Sequence, residues 1–258
     1  MNDAGIIKQD NTPDDSLTVG YWLVEGWEAY KKYSCFWQVG LIYFLFSTVV
    51  QLSDPYIDSH YYHKILFPVT NIVLLPIIKV GVAYMAIRAI RGQGYGLADI
   101  GIAFNRFLKS WVTIAGLEVG AFIGGLFLIV PGAYFLSKFI MSLFVLHDKG
   151  LGVIDSYSYS SEIVKGYQWR VFGLLLIGLM PLATDIMFIA LGVFYGNFYS
   201  IPLFIFTFLL FMFGQLVLGP VFLASLASAY DNLSKVYDKS LAPINSELQP
   251  PSPPPFAG

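Results

Sequence analysis

The sequence predicts an all-α integral membrane protein with six transmembrane helices in three hairpins, each preceded by an interfacial amphipathic helix. Three observations indicate this fold class: an apolar composition, uncharged runs of bilayer length, and an uneven distribution of lysine and arginine. The 258 residues are 56% hydrophobic and only 12% charged, whereas soluble domains carry about a quarter charged residues. Their mean hydropathy is +0.64. We do not expect a soluble enzyme, because so few polar side chains could not coat a globule of this size.

Six apolar runs are long enough to be considered as membrane spans, since a bilayer core of about 30 Å takes about 20 helical residues. Pro131 and Gly132 separate the third run from the fourth, because proline removes a donor and glycine permits a tight reversal. Residues 186–230 carry no charge and are too long for one helix, so residues 195–200 are predicted as an outer turn. The predicted spans are Tyr33 to Ser53, Ile65 to Ile87, Trp111 to Val130, Ala133 to His147, Val171 to Tyr195 and Ile201 to Tyr230.

The connecting segments differ sharply in positive charge. Of the 15 lysines and arginines, Lys79 and Lys138 fall inside spans and Lys64 falls on one side; the remaining twelve all fall on the other side. The positive-inside rule assigns that richer side to the cytoplasm. Both termini are therefore predicted to be cytoplasmic. Short loops and polar first residues, unlike a secretory signal, favour a bacterial inner (plasma) membrane.

A stretch with helical periodicity precedes each odd-numbered span: Leu17 to Ser34, Leu97 to Ser110 and Gly152 to Tyr167. Such amphipathic stretches are predicted to lie in the membrane interface. In the third, Ile154, Tyr157, Val164 and Tyr167 form the apolar stripe, and the intervening serines face water. Residues 17–230 would form the membrane domain. Residues 1–16 are predicted to be a disordered tail, and residues 231–258, rich in proline near the end, a disordered cytoplasmic tail.

Two motifs lie within the stretch LFLIVPGAYFLSKFIMSLFVLHDKGLGVIDSYSYSSEIVKGYQWRVFG, residues 126–173. The first is Pro131-Gly132-x-Tyr134, and the second contains Ser161, Lys165, Gly166, Trp169 and Arg170. This stretch resembles the membrane domain attached to some glycerophosphoryl diester phosphodiesterases and the YciC-type inner-membrane proteins. The resemblance implies a six-span helical domain without chemistry of its own, since catalysis in such phosphodiesterases belongs to a separate soluble barrel.

Three ionisable residues inside the predicted spans share one depth. At 1.5 Å per residue, Lys79 and Lys138 lie about 13 Å, and Glu118 about 10 Å, from the cytoplasmic ends of their spans. Because Glu118 and Lys138 belong to consecutive antiparallel helices, we expect them to pair, with Lys79 as a second cation. Two interpretations stay open: a polar cavity for an anionic head group or solute, or a structural pair that fixes helix register.

The remaining candidate sites are weaker. Asp185, in the outer half of the fifth span, could relay protons or cap a helix break. Asp54, Asp58, His60 and His63, in the predicted outer loop, have ligand types and a spacing that could bind a divalent metal. The signal is weak, because an isolated HxxH with scattered carboxylates is common in exposed loops and a zinc protease would need HExxH on a helix. Pro76, Pro181 and Pro220 bend their spans, as in the broken helices of carriers or in ordinary kinked bundles.

The leading functional prediction is a non-enzymatic inner-membrane protein that organises the bilayer or assists a partner. Membrane lipids are the predicted partners, with a membrane protein as a further candidate. The alternative is a transporter of a small or anionic solute that uses Lys79, Glu118 and Lys138. No catalytic residue, metal or cofactor is assigned, and the net charge of -2 gives no attraction to nucleic acid.

Overall fold

The protein was analysed as a computed structural model, which describes residues 15–53, 75–127, 129–195 and 201–247. Within these ranges the chain is helical and has no β-strand. Short 3₁₀ turns occur at Asp15–Leu17 and Leu97–Gly101. The helices are α1 (Val19–Lys32), α2 (Ser34–Ser53), α3 (Leu75–Ile90), α4 (Ile102–Asn105), α5 (Phe107–Phe127), α6 (Ile129–Phe139), α7 (Ser142–Asp148), α8 (Val153–Ile163), α9 (Gln168–Tyr195), α10 (Ile201–Phe213) and α11 (Gly219–Glu247).

Two helical stretches among the described residues have the length and hydropathy needed to cross a bilayer, Phe107–Gly124 and Ile205–Ser240. A third is added if α8 and the first part of α9, bent by 107° relative to each other, count as one. Large apolar side chains are half or more exposed along α5, α9 and α10. A continuous apolar exterior of this kind is typical of a protein whose solvent is lipid. The prediction of a helical protein is thus confirmed for the described residues, with two or three stretches that are candidates for spanning a membrane.

The helices depart from the predicted spans at three places. The fourth predicted span is not one helix, because α6 ends at Phe139 and α7 begins only at Ser142. The tail prediction was wrong for residues 231–247, which continue α11; residues 248–258 lie outside the described part of the chain. The reversal comes before Pro131 rather than at it, since Pro131 occupies the first turn of α6, where proline is tolerated. Residues 54–74, which include the predicted first outer loop, are not described.

Helices α5 and α6 pack closely because glycines line their contact. A methyl group added at Gly124 would lie 2.6 Å from the Cα of Gly132, and one added at Gly120 would overlap the Phe135 ring. The contact therefore requires glycine at both positions of α5. It also aligns residues 120 and 124 of α5 with residues 135 and 132 of α6, as expected for antiparallel neighbours.

The predicted surface helices are packed more tightly than an interfacial location requires. Helices are confirmed at α1 and α8, but α1 buries Trp22 and Gly26 against α11. On α8, Ser156 and Ser160 are fully buried, so the prediction that they face water was wrong. Their hydroxyls donate to backbone carbonyls of Gly152 and Lys138, which satisfies them without water. The stretch from Leu97 to Ser110 is not one helix but a 3₁₀ turn, α4 and the start of α5.

Helices α10 and α11 are joined by a π-helical turn at Gly214–Leu218. Pro220 accounts for this turn, because it has no N–H to give to the carbonyl of Leu216 four residues earlier. The hydroxyl of Tyr30, on α1, donates to that carbonyl instead, at 3.0 Å. The first and last helices are thus joined at the point where the last one is irregular.

Candidate functional site

A cavity of about 490 Å³, partly open to the outside, lies between the helices of the bundle. Helices α2, α3, α7, α9 and α11, together with the α6–α7 break and the π-turn, contribute to its wall. The wall is apolar except at Lys79 and Gln215, and it includes Val39, Ala83, Phe144 and Leu226. Its volume falls within the range of about 300–1,000 Å³ found for ligand pockets. It is about three times the size of a ~150 Å³ cavity that holds benzene.

Two irregular helical segments border this space. Ile140 lies at the break between α6 and α7, and Gln215 and Gly219 lie at the π-turn; all three line the cavity. π-Turns are also frequently found at functional sites. Both irregular segments therefore contribute to the cavity wall.

Gly178 on α9 gives the cavity part of its shape. A methyl group at this position would overlap the ring of Phe222, which lines the cavity from α11. The far edge of the ring therefore lies directly against the α9 backbone.

Lys79 forms an ion pair with Glu118 beside the cavity. The Nζ atom of Lys79 donates to Oε1 of Glu118 at 2.7 Å, joining α3 to α5. The side chains are 44% and 54% exposed, respectively. Lys79 lines the cavity, whereas Glu118 is not among its lining residues. The structure therefore brings together two of the three ionisable residues predicted to share one depth.

The predicted pair of Glu118 and Lys138 is not formed. Lys138 Nζ lies 5.4 Å from the centroid of the Phe139 ring, and it makes no ion pair with any described residue. Depth was not the error, because the α5–α6 contacts place residue 118 level with residues 137 and 138. The error lay in the position of Glu118 around the axis of α5. Gly116, Gly120 and Gly124 face α6 and α8, and Glu118, two residues from Gly116, lies about 200° around the helix.

The other predicted sites give less information. Asp185 lies on α9, but its side chain is outside the described part of the structure, as are Asp54, Asp58, His60 and His63. Among the described residues, no group of three or more His, Cys, Asp or Glu side chains could hold a metal ion.

A second polar cluster, which we call the charged end, lies where α3, α7 and α11 meet. The guanidinium of Arg91 donates to both oxygens of Asp148, at 2.5 and 3.1 Å, and to Asp231 Oδ1 at 2.7 Å. Tyr230 donates its hydroxyl to Asp148 at 2.6 Å. Lys235 pairs with Asp231 at 2.5 Å. Two cations and two carboxylates therefore balance one another; Arg91, Asp148 and Asp231 are mostly buried, whereas Lys235 is 62% exposed.

Burial alone would lower the pKa of Arg91, but its hydrogen bonds to Asp148 and Asp231 outweigh this effect and raise the pKa. The guanidinium thus stays charged and holds three segments together.

Further polar contacts extend the charged end. Lys149 Nζ and the Tyr159 hydroxyl both donate to Asp238, at 2.6 and 2.8 Å. Glu25 on α1 accepts from Ser228 and from Asn232 of α11. These bonds fix α1, α8 and the loop after α7 to the last helix.

The residues of the family-like motifs have structural roles. Gly132 is buried against Gly124 in the α5–α6 contact. Gly166 has φ +87° in the turn between α8 and α9, which favours glycine. Arg170 donates to the carbonyl of Leu17 at 3.0 Å. Ser161 is half-buried, and Lys165 and Trp169 are exposed.

Sequence reasoning missed the charged end because it counted Arg91 only among the twelve cations of the predicted cytoplasmic side and assigned no role to Asp148 or Asp231. One signal could have identified Asp231: it is the first charged residue after the uncharged stretch of residues 186–230.

No family model, no curated protein and no solved structure matches this chain.

Proposed function

We propose that this chain is a non-enzymatic, multi-pass inner-membrane protein that binds a lipid chain in its cavity and thereby organises the bilayer or assists a lipid or protein partner. The cavity carries the proposal. It is about 490 Å³ in volume and apolar over most of its wall, and it lies within a helical bundle whose exterior is also apolar. An alkyl chain matches such a wall better than a hydrated solute, which would lose its hydrogen bonds there.

The source of the bound chain determines which interaction gives selectivity. A chain taken from water would gain about 0.8 kcal/mol for each buried CH₂ group, or about fourfold in affinity. A chain taken from the bilayer leaves surroundings that are already as apolar as leucine. In that case chain length adds little to the affinity, and selectivity must come from a bond between the ligand and a polar group of the cavity.

We further propose six membrane crossings with both termini in the cytoplasm, as in the proteins that residues 126–173 resemble. Contacts between predicted cytoplasmic segments support this topology: Arg91 bonds Asp148 and Asp231, and Arg106 bonds the carbonyl of Gly150. These segments therefore lie at one end of the molecule. Cysteine introduced at Asn197 should react with an impermeant reagent from outside, and cysteine at Gly94 should not. Outside labelling at Gly94 would contradict the topology.

The cavity is tested by photochemical labelling. A diazirine-bearing C16 fatty acid, bound to the protein in nanodiscs, should label α3 and α11 preferentially. Ala83→Phe, which fills the cavity wall, should reduce this labelling at least fivefold. Val119→Phe adds bulk to the exposed face of α5 and serves as the matched control, with labelling unchanged. Equal labelling of all lipid-facing helices, insensitive to Ala83→Phe, would refute lipid binding in the cavity.

A second candidate function is transport of a small or anionic solute. It is supported by Lys79 on the cavity wall and by the two helix breaks that form it, since interrupted helices line the binding sites of many carriers. Lys138, expected to share this role, does not line the cavity. Proteoliposomes that accumulate a small organic anion, and lose this uptake with Lys79→Met, would favour transport over lipid binding.

A further inference from the structure

We propose that the lipid bound in the cavity is a single-chain amphiphile with an anionic oxygen head group, and that this head group binds Lys79 in competition with Glu118. The inference rests on the proposed function and names the ligand class for the same cavity. It starts from the one formal charge among the described residues that line it, the ammonium group of Lys79.

Lys79 is placed to serve both its ion pair and a ligand. Its ammonium group has three N–H donors, and the described residues take one of them, through Glu118 Oε1. Lys79 lines the cavity and Glu118 does not, so an oxygen inside the cavity would compete with Glu118 for the donors of the Lys79 ammonium group.

The exposed parts of the Lys79 and Glu118 side chains also need a polar neighbour. Both side chains are about half exposed, and both belong to helices that the sequence predicts as spans. Charged groups in spans are costly against hydrocarbon and usually face a bundle interior or a polar cavity. A head group bearing oxygen atoms would cover the exposed side of Lys79 while its alkyl chain fills the apolar wall.

The positive charge of Lys79 determines whether a cationic, neutral or anionic head group binds best. A cationic head would be repelled by Lys79, and a neutral head would gain only an ordinary hydrogen bond. A carboxylate or phosphate would form a charge-assisted bond, which is about twice as strong as a neutral one. The two anions share this chemistry, and they come from different sources: free fatty acids and single-chain phospholipids.

The experiment compares four C16 probes of matched length in nanodiscs: palmitate, hexadecyl phosphate, hexadecanol and hexadecylamine. Binding is measured by competition with the diazirine fatty acid. The wild-type protein should bind at least one anionic probe tenfold or more tightly than hexadecanol, and hexadecylamine most weakly. Preference for palmitate indicates a fatty acid, and preference for hexadecyl phosphate indicates a phospholipid source.

Three variants test the role of Lys79. Lys79→Met should bring the ratio of anion to alcohol affinity close to one while hexadecanol still binds. Glu118→Gln leaves Lys79 in place and removes its competing carboxylate, so anionic probes should bind several-fold tighter. Lys138→Met removes a lysine of similar depth that does not line the cavity, and it should leave all affinities unchanged.

The possible failures are distinguishable. If the wild-type protein binds palmitate, hexadecyl phosphate and hexadecanol equally, or if Lys138→Met and Lys79→Met have equal effects, the head-group inference is wrong and lipid-chain binding stands. Weaker anion binding by Glu118→Gln would also overturn it. If none of the four probes competes with the diazirine fatty acid, the proposed function itself fails.

Discussion

The charged end and the cavity are two regions of the same bundle and share some of its helices. The charged end is closely packed around paired charges, whereas the cavity is open space. At the charged end, the side chain of Asp231 is only 6% exposed and each carboxylate of the cluster has a partner. Around the cavity, two helix breaks leave a volume of about 490 Å³. Both regions include α3 and α11, so a few residues along one helix separate close packing from open space.

This contrast shows how a membrane protein can keep a hollow interior without collapsing. Close packing in the bilayer is driven by contact and hydrogen bonding rather than by the hydrophobic effect. The bonds of the charged end and the α1–α11 contact hold the helices at fixed positions. The cavity is then a space between helices that cannot approach further.

The largest effect is expected from breaking the charged end. Arg91→Ala should lower the free energy of unfolding by about 3–5 kcal/mol, because Asp148 and Asp231 would be left buried without their shared cation. Thermal unfolding in detergent measures the loss. A loss below about 1 kcal/mol would show that the cluster does not hold the helices together.

The same substitution at two positions of α3 compares packed and hollow regions directly. Ala89 is fully buried and does not line the cavity, whereas Ala83 does. Ala89→Leu should cost about 1–3 kcal/mol through overpacking. Ala83→Leu should change stability by less than about 1 kcal/mol, since the cavity accepts the added carbons. Equal losses for the two variants, again by thermal unfolding, would mean that the cavity closes in solution.

A smaller effect is expected at the π-turn. Tyr30→Phe removes the donor to the Leu216 carbonyl and should cost about 1–2 kcal/mol. Pro220→Ala restores a backbone N–H that can bond this carbonyl. In the Pro220→Ala background the loss from Tyr30→Phe should therefore shrink, and a double-mutant cycle measures the difference. Additive losses would argue against Pro220 as the reason for the tyrosine bond.

The smallest effect is expected at an exposed pair on α1. Lys31 and Glu28 pair at 2.6 Å, with side chains 48% and 63% exposed. Lys31→Ala should cost no more than about 0.5 kcal/mol, as for other exposed helix pairs. A loss near that of Arg91→Ala would mean that unfolding does not distinguish buried from exposed pairs in this protein.

Composition and periodicity were sufficient to predict a helical membrane protein and the positions of α1, α2, α5, α8 and α9. Depth arithmetic also placed Lys79 and Glu118 at one level, because it depends only on the rise per residue. The number of crossings stays a prediction, since only two or three described stretches qualify by length and hydropathy.

Two features could not be read from the sequence. The partner of Glu118 depends on which face of α5 meets α6, and that face is set by Gly116, Gly120 and Gly124 rather than by any charge. The cavity depends on breaks at Ile140 and at the π-turn, and only Pro220 marks one of them in advance. Tertiary packing therefore decided both features.

The hydrogen bond between Tyr30 and the Leu216 carbonyl joins residues 186 positions apart, and this has a consequence for biogenesis. At about 5–20 residues per second, the ribosome would need roughly 10–40 s to synthesise the chain between them. During that interval α1 has been made but its partner helix does not yet exist. Helix α1 must therefore remain without this partner during synthesis, and the bundle can close only after α11 has been made.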